Sequence, residues 1–235
     1  MRPYIIINGR NSQDIEGLLI STLPPITKPL KRISKEEISG MDGDIITELG
    51  YSAYDKQITI GLTYNYNIDD VISYFDSIGI ITFSNEPDKY YKFAIYEQID
   101  FEKLIKFKTA TVTIHVQPFK YSSVDKEKVF DAENNTEFTV RNNGNIYSKP
   151  TIAIEGEGII ELHVNQQQIF VIDMTNTNKV VINASEMNAY YENGNLANRI
   201  IIGDYDNLRL LAGANVISYV GNVTKLTVSD YTRWI

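Results

Sequence analysis

The chain has 235 residues, carries 22 Lys and Arg against 30 Asp and Glu for a net charge of −8, and contains no cysteine. That acidic balance argues against nucleic acid and anionic membrane as partners, since both require basic surface. The missing cysteines remove disulfides, thiolate metal sites and thiol nucleophiles together, and the length suffices for two domains that each bury a core.

Near the start, Ile5, Ile6 and Ile7 form an apolar run too short for a secretion signal or a membrane span, so the expectation is a chain made and kept in the cytosol. Residues 4–8 read as a short strand closed by Gly9, residues 18–20 as a second apolar run, and Pro24, Pro25 and Pro29 as a linker. A charged, sparsely apolar stretch at 30–39 leads to Gly40-Met41-Asp42-Gly43, a turn in which glycine permits positive φ and Asp bonds the backbone two residues on. Behind the turn, residues 55–64 alternate, with Ile58, Ile60, Leu62 and Tyr64 on one side and Gln57, Thr59, Gly61 and Thr63 on the other. This pattern predicts a projecting β-hairpin arm over about residues 30–56, rooted in a sheet. Such an arm presents unpaired backbone and apolar edges that proteins normally cover, and the neighbour available to cover it is another subunit. The candidate residues of this inter-subunit belt are Ile33, Ile38, Gly40, Met41, Asp42, Gly43, Ile45 and Ile46.

Apolar positions 68, 71, 72, 75 and 78 have helical spacing, with Asn67 suited to the N-cap, Asp69 and Asp70 to the first turn and Gly79 to the residue past the end. One helix over about 68–78 is therefore expected. Residues 80–83 resume as strand, and residues 90–97 carry bulk on both faces, which predicts two-sided burial. Residues 101–107 and then 109–117 complete this half, and Pro118 is read as the stop. Residues 121–137 are polar without a clear period, which places the domain junction near 121 and gives domains 1–121 and 122–235. The second half reads as β throughout, with short runs at 138–142, 151–155, 159–165, 168–173, 179–183, 189–191, 199–202, 208–210, 215–220 and 225–229. Turn signals at 143–144, 156–158, 193–194, 213 and 221–222 separate them, and many short, regularly punctuated strands mean a β-sandwich.

Chemistry is sparsely signalled. His115 and His163, the two histidines, each fall on the polar side of a strand and read as solvent-facing rather than catalytic or metal-binding. The close carboxylate pairs Asp42/Asp44, Glu155/Glu157 and Asp204/Asp206 lack the spacing of a calcium loop, and Glu155 and Glu157 read as solvated residues flanking a turn at Gly156. No GxSxG elbow, phosphate loop or GxGxxG is present, so the expectation is no enzyme, no catalytic residue, no metal and no cofactor. Tyr190, Tyr191, Tyr205, Tyr219, Tyr231 and Trp234 are suited to stacking on sugar rings, with core and interface packing as the plainer reading.

Several of these residues, in this order, resemble a known family. Ile6-Ile7-Asn8-Gly9, then Gly40-Met41-Asp42-Gly43 ahead of an alternating strand and a single helix, resembles the N-terminal domain of siphophage distal tail (Dit) proteins. Asn142-Asn143-Gly144-Asn145, Ser148-Lys149-Pro150, the turn Leu211-Ala212-Gly213-Ala214-Asn215 and the closing Arg233-Trp234-Ile235 resemble that family's galectin-like C-terminal sandwich. The implied fold is mainly β: an N-terminal β-sandwich with one α-helix and a projecting arm, then a galectin-like β-sandwich. The resemblance further implies a homo-hexameric ring at the virion tail tip, with the arm as a belt onto the neighbour. Such a ring joins the major tail protein to the tail-associated hub or tail fibre protein and carries receptor-binding protein where a baseplate exists. DNA passes through its lumen without specific binding, and no membrane is involved. The second function class, suggested by the sandwich and its tyrosines, is a lectin-like binder of host cell-wall polysaccharide. Residues 1–120 carry a net charge of −3 and the rest −5, from which a net acidic lumen is expected.

Overall fold

The computed structural model describes residues 2–125, 127–132 and 135–235. Lys126, Glu133 and Asn134, part of the expected junction, lie outside the described residues. The chain divides into two compact units, one running to Ser123 and the other Val124–Trp234.

The first unit is a curled antiparallel sheet. Its strands are β1 (Ile5–Ile7), β2 (Arg10–Asn11), β3 (Leu18–Thr22), β6 (Tyr54–Leu62), β7 (Ile78–Phe83), β8 (Lys89–Ala94) and β9 (Thr109–Ser122), in the order β2-β1-β7-β8-β9-β6-β3. Between β3 and β6 lie β4 (Lys31–Glu36) and β5 (Ile45–Tyr51), which pair only with each other in a separate two-stranded sheet. Period-2 alternation puts Ile58 and Ile60 of β6 and Val112, Ile114 and Val116 of β9 on one buried face, together with Ile5, Ile81, Phe83, Tyr91 and Phe93.

Helix α1 (Ile68–Phe75) covers that face with Val71, Tyr74 and Phe75, each stabilising the unit by about 1.5–3 kcal/mol through burial. Asn67 caps it, its side chain accepting from the Asp69 amide at 3.1 Å. The helix stops short of the expected 78 because Ile78 is already paired opposite Ala94 in β7. Gly79 is therefore a strand residue rather than a helix end. Its φ of +145° lets the Asn8 side chain bond the Ile80 amide and Ile78 carbonyl, and a Cβ there would lie 2.1 Å from the Asn8 Oδ1.

A second helix, α2 (Phe101–Phe107), joins the one expected. Asp100 accepts from the Lys103 amide at 2.8 Å, Leu104 is buried, and Lys108 ends the helix in the left-handed region. Three further expectations are corrected in this unit. β9 continues past Pro118 to Ser122, because the register shift between Tyr91 and Phe93 of β8 leaves residues 117–119 of β9 as a bulge, where a residue without a donor is tolerated. Burial of residues 90–97 is complete on one side only: Tyr91, Phe93 and Ile95 are buried, while on the other side Tyr90 and Ala94 are half-buried and Lys92 and Tyr96 exposed. Tyr64 lies beyond the end of β6 and is almost fully exposed.

The second unit is built on two long strands, β12 (Thr151–Val164) and β17 (Gly213–Ser229), which pair with each other. The remaining strands are β10 (Glu127–Asp131), β11 (Glu137–Asn142), β13 (Gln167–Met174), β14 (Lys179–Asn183), β15 (Asn188–Tyr191) and β16 (Ile201–Gly203). Each long strand changes partner midway. β12 pairs first with β14 and then with β13, and β17 first with β11 and then with β10. Strands shared in this way turn the corner between layers over a core that includes Ile152, Ile154, Leu162, Phe170, Ile182, Ile217 and Leu226.

The corner explains why sequence punctuation misled. Residues 156–158 and 221–222 are strand, not turns, and they face each other where the register shifts. A Cβ on Gly156 would stand 2.3 Å from the Asn222 carbonyl oxygen, and one on Gly221 2.5 Å from that of Ile159. The glycines allow two backbones to approach where both bend. Glu155 and Glu157 are accordingly strand residues: Glu155 lies 3.6 Å from both Lys179 and Lys225, and Glu157 accepts from Asn222 at 2.8 Å. β10 lies within the stretch expected to be linker, residues 208–210 contribute one bridge, Ser148 to Leu210, instead of a strand, and residues 198–200 form a 3-10 turn before β16.

Candidate functional site: the projecting arm

β4 and β5 form a ribbon in register from Lys31 opposite Tyr51 to Glu36 opposite Ile45. The strand that follows the turn is thus Ile45–Tyr51, while the alternating stretch that first suggested the arm is β6, inside the main sheet. At the tip the Met41 amide donates to the Ile38 carbonyl at 3.1 Å, and Gly40 and Gly43 both take φ of +86°, as the predicted turn requires. A bulge between Arg32 and Ile33 leaves Leu49 extra on β5, and the Arg32 guanidinium donates to its carbonyl at 3.3 Å. Lys31 pairs with Glu48, which raises the ammonium above its ordinary value, and Lys35 lies 3.7 Å from Asp44.

Residues opposite each other share a face, so Ile33, Glu48, Lys35 and Ile46 lie on one side and Ser34, Thr47, Glu36 and Ile45 on the other. Both sides carry isoleucine and neither is covered: Ile33 is 39% exposed, Ile45 41% and Ile46 57%. Ile38 and Met41 at the tip are exposed as well. An isolated two-stranded ribbon is marginal in water, and covering these side chains is worth on the order of 5–10 kcal/mol. The eight candidate belt residues therefore all sit on the ribbon or its turn. Leu30 and Leu49, both exposed, were not among them; their composition in a charged stretch carries no sign of exposure.

The other sequence candidates are spread through the fold and serve local structure. His115 Nδ1 lies 2.7 Å from Asp55 on the open face of the main sheet, and His163 Nε2 lies 3.3 Å from Glu161. Asp206 accepts from Lys149 at 2.8 Å, which with Arg209 holds its carboxyl below the usual range, while Asp204 caps a 3-10 turn. Among the described residues no group of three or more metal-ligating side chains comes together. Replacing His115 and His163 by Gln is expected to leave the native mass of the protein unchanged, and a shift to smaller species would show that an imidazole takes part in self-association.

The aromatic set does not form a stacking platform. Tyr219 is buried with its hydroxyl donating to the Ala132 and Asn135 carbonyls, Tyr231 is buried, and Tyr205 packs on Phe170 and donates to Asn198. Tyr191 packs against the core, Tyr190 donates to Glu186, and Trp234 is half-buried. Core packing is found for Tyr191, Tyr205, Tyr219 and Tyr231.

No family model matches the chain, and no curated protein does. Solved structures do. The SPP1 Dit protein, a hub of the adsorption apparatus of phages that infect Gram-positive bacteria, aligns over 100% of both chains with a TM-score of 0.64 and 16% identity. Chains of the phage P2 baseplate in its activated conformation with Ca and with Sr give TM-scores of 0.54 and 0.53 at 8% and 9% identity, covering 100% and 97% of this chain and 98% and 97% of their own. The fold implied by the sequence resemblance is the fold observed.

Proposed function

We propose, from a fold shared over its whole length with a tail hub protein, that this chain is a structural subunit of a phage tail tip. Copies assemble through the first unit into a closed ring, six by the family resemblance, in which the arm of each lies on its neighbour as a belt. The ring links the major tail protein of the tube to the hub or fibre protein below and offers a mount for receptor-binding protein. The observation that carries this reading is the arm itself: a ribbon outside its own sheet, apolar on both faces and uncovered in the single chain. A head-to-tail contact of this kind closes into a ring when the rotation per subunit permits. Solution mass by light scattering or native mass spectrometry tests it. A closed oligomer is expected, and a monomer that binds cell-wall glycan would favour the lectin-like alternative.

A ring that passes genome DNA must not hold it, because each phosphate neutralised by a basic wall releases counterions and adds affinity. The open face of the main sheet suits that task. Gln57 opposite Thr113, Thr59 opposite Thr111 and Gly61 opposite Thr109 form an uncharged ladder that ends at Asp55 and His115. With this face toward the lumen, the assembled ring is expected to bind double-stranded DNA no better than background at moderate salt. Salt-sensitive binding, or a lysine-lined bore, would overturn that assignment.

A further inference from the structure

The arm leaves the body through residues 23–30, and three side chains hold the backbone of that linker. The Asn85 amide donates to the Pro24 carbonyl at 3.2 Å, the Lys56 ammonium to that of Pro25 at 2.9 Å, and the Tyr54 hydroxyl to that of Thr27 at 3.4 Å. Tyr54 and Lys56 belong to β6, the strand into which the arm returns.

Lys56 is the exceptional donor. Its side chain lies on the core side of β6 and is 4% exposed, with the ammonium 5.3 Å from the Tyr54 ring centre and 5.2 Å from that of Tyr91. Glu86 and Lys120 are the charged groups acting on it, and Lys89 reaches the cluster through Glu86. Glu86 lies in the turn between β7 and β8, Lys120 on β9 and Lys89 on β8; Glu86 is 2.9 Å from Lys120 and 3.6 Å from Lys89, which also meets Asp88 at 3.3 Å. One carboxylate close to the cluster is thus engaged by two other ammoniums. The phenols do not help, since burial pushes Tyr54 and Tyr91 upward and keeps them neutral. Burial lowers Lys56 to about 8, with Glu86 opposing the fall and Lys120 adding to it.

We propose that this cluster is a loaded hinge: the linker closes over an ammonium better accommodated in water, so the root of the arm is held weakly while Lys56 is charged and firmly when it is neutral. This rests on the belt reading, because it governs how freely the arm swings toward a neighbouring copy. Lifting the linker opens Lys56 to water and moves it from about 8 toward the ordinary value of 10.5. The closed hinge therefore binds the proton less well than the open one, and raising pH from about 8 toward 10.5 favours closure. One pKa unit is tenfold in the equilibrium, so a complete return would be worth on the order of 10²–10³-fold, which sets the upper bound.

Pro24 and Pro29 are both buried along the same linker and the chain has no cysteine, so Pro24→Cys installs a single reporter thiol. Its labelling by an aromatic disulfide reagent, divided by the thiolate fraction, measures lifting. The corrected rate is expected to fall at least tenfold between pH 7.5 and 10. Lys56→Met, never charged, and Lys56→Arg, always charged, should each abolish the pH dependence, and Glu86→Gln should move the fall to lower pH. Pro29→Cys repeats the measurement from the other end of the linker, and amide protection in β9 identifies any variant that has unfolded. A flat profile with Lys56 in place, or a slope that survives Lys56→Met, overturns the hinge. The readout concerns a single chain, so a failed hinge leaves the ring reading standing, and a monomeric native mass leaves the hinge measurement intact.

Discussion

Excising residues 33–53 and closing the gap with a short glycine linker is expected to leave a folded monomer, where the intact chain is expected to have the mass of a closed ring. The deletion removes β5 and most of β4, which pair only with each other. β6 keeps its partners β3 and β9, and the core of the first unit loses nothing, since none of its buried residues lies between 33 and 53. Thermal stability of the monomer should therefore change little while assembly is lost. Isolated residues 124–234, with their own continuous core, should stay folded and monomeric. A deletion variant that keeps the full mass would show that the arm is not the belt.

Replacing Gly156 by Val should unfold the second unit or cost it several kcal/mol, at the upper end of single-substitution effects. The obstacle is backbone, which cannot rotate away as a side chain can: Gly156 faces the Asn222 carbonyl where β12 and β17 cross the corner. Gly158, two residues on with φ +76° and nothing near a Cβ, supplies the control, and Gly158→Asn should cost no more than about 1 kcal/mol because Asn tolerates the left-handed region. Urea unfolding followed in the isolated unit reads both. A Gly156→Val variant within about 1 kcal/mol of the parent would mean that the corner yields, against the close-packing argument.

What could be read from residue order was whatever rests on local rules. The Asn67 cap, the alternation in β6 and the bounds of β14 are local, and each is found where it was expected. α2 was missed because seven residues make two turns and show no period; the cap at Asp100 was its only mark. β10 has no buried residue, its Val129 included, and only its pairing with residues 225–229 makes it a strand. The glycines at 156 and 221 have one signature for a turn and for a close crossing, and the difference lies in a partner some 60 residues away. For the arm, the turn residues were legible while the strand that completes it was placed too late. The exposure of Ile33, Ile45 and Ile46 depends on what lies beneath them, which no local pattern encodes.

The place of β17 in the second unit also sets an order of events during synthesis. Its residues pair with β10, β11 and β12, so Glu127 waits for Ser229 and Phe138 for Ile217. The first unit has all its own strands once Ser122 has left the ribosome and is free to fold while the rest is still being made. The second unit has its central strand last, and until then β12 carries open edges with no partner on one side. Its folding thus waits for β17, is dominated by long-range pairing and is slow for its size. Lower temperature or slower expression should raise the soluble yield of the whole chain chiefly by sparing this half.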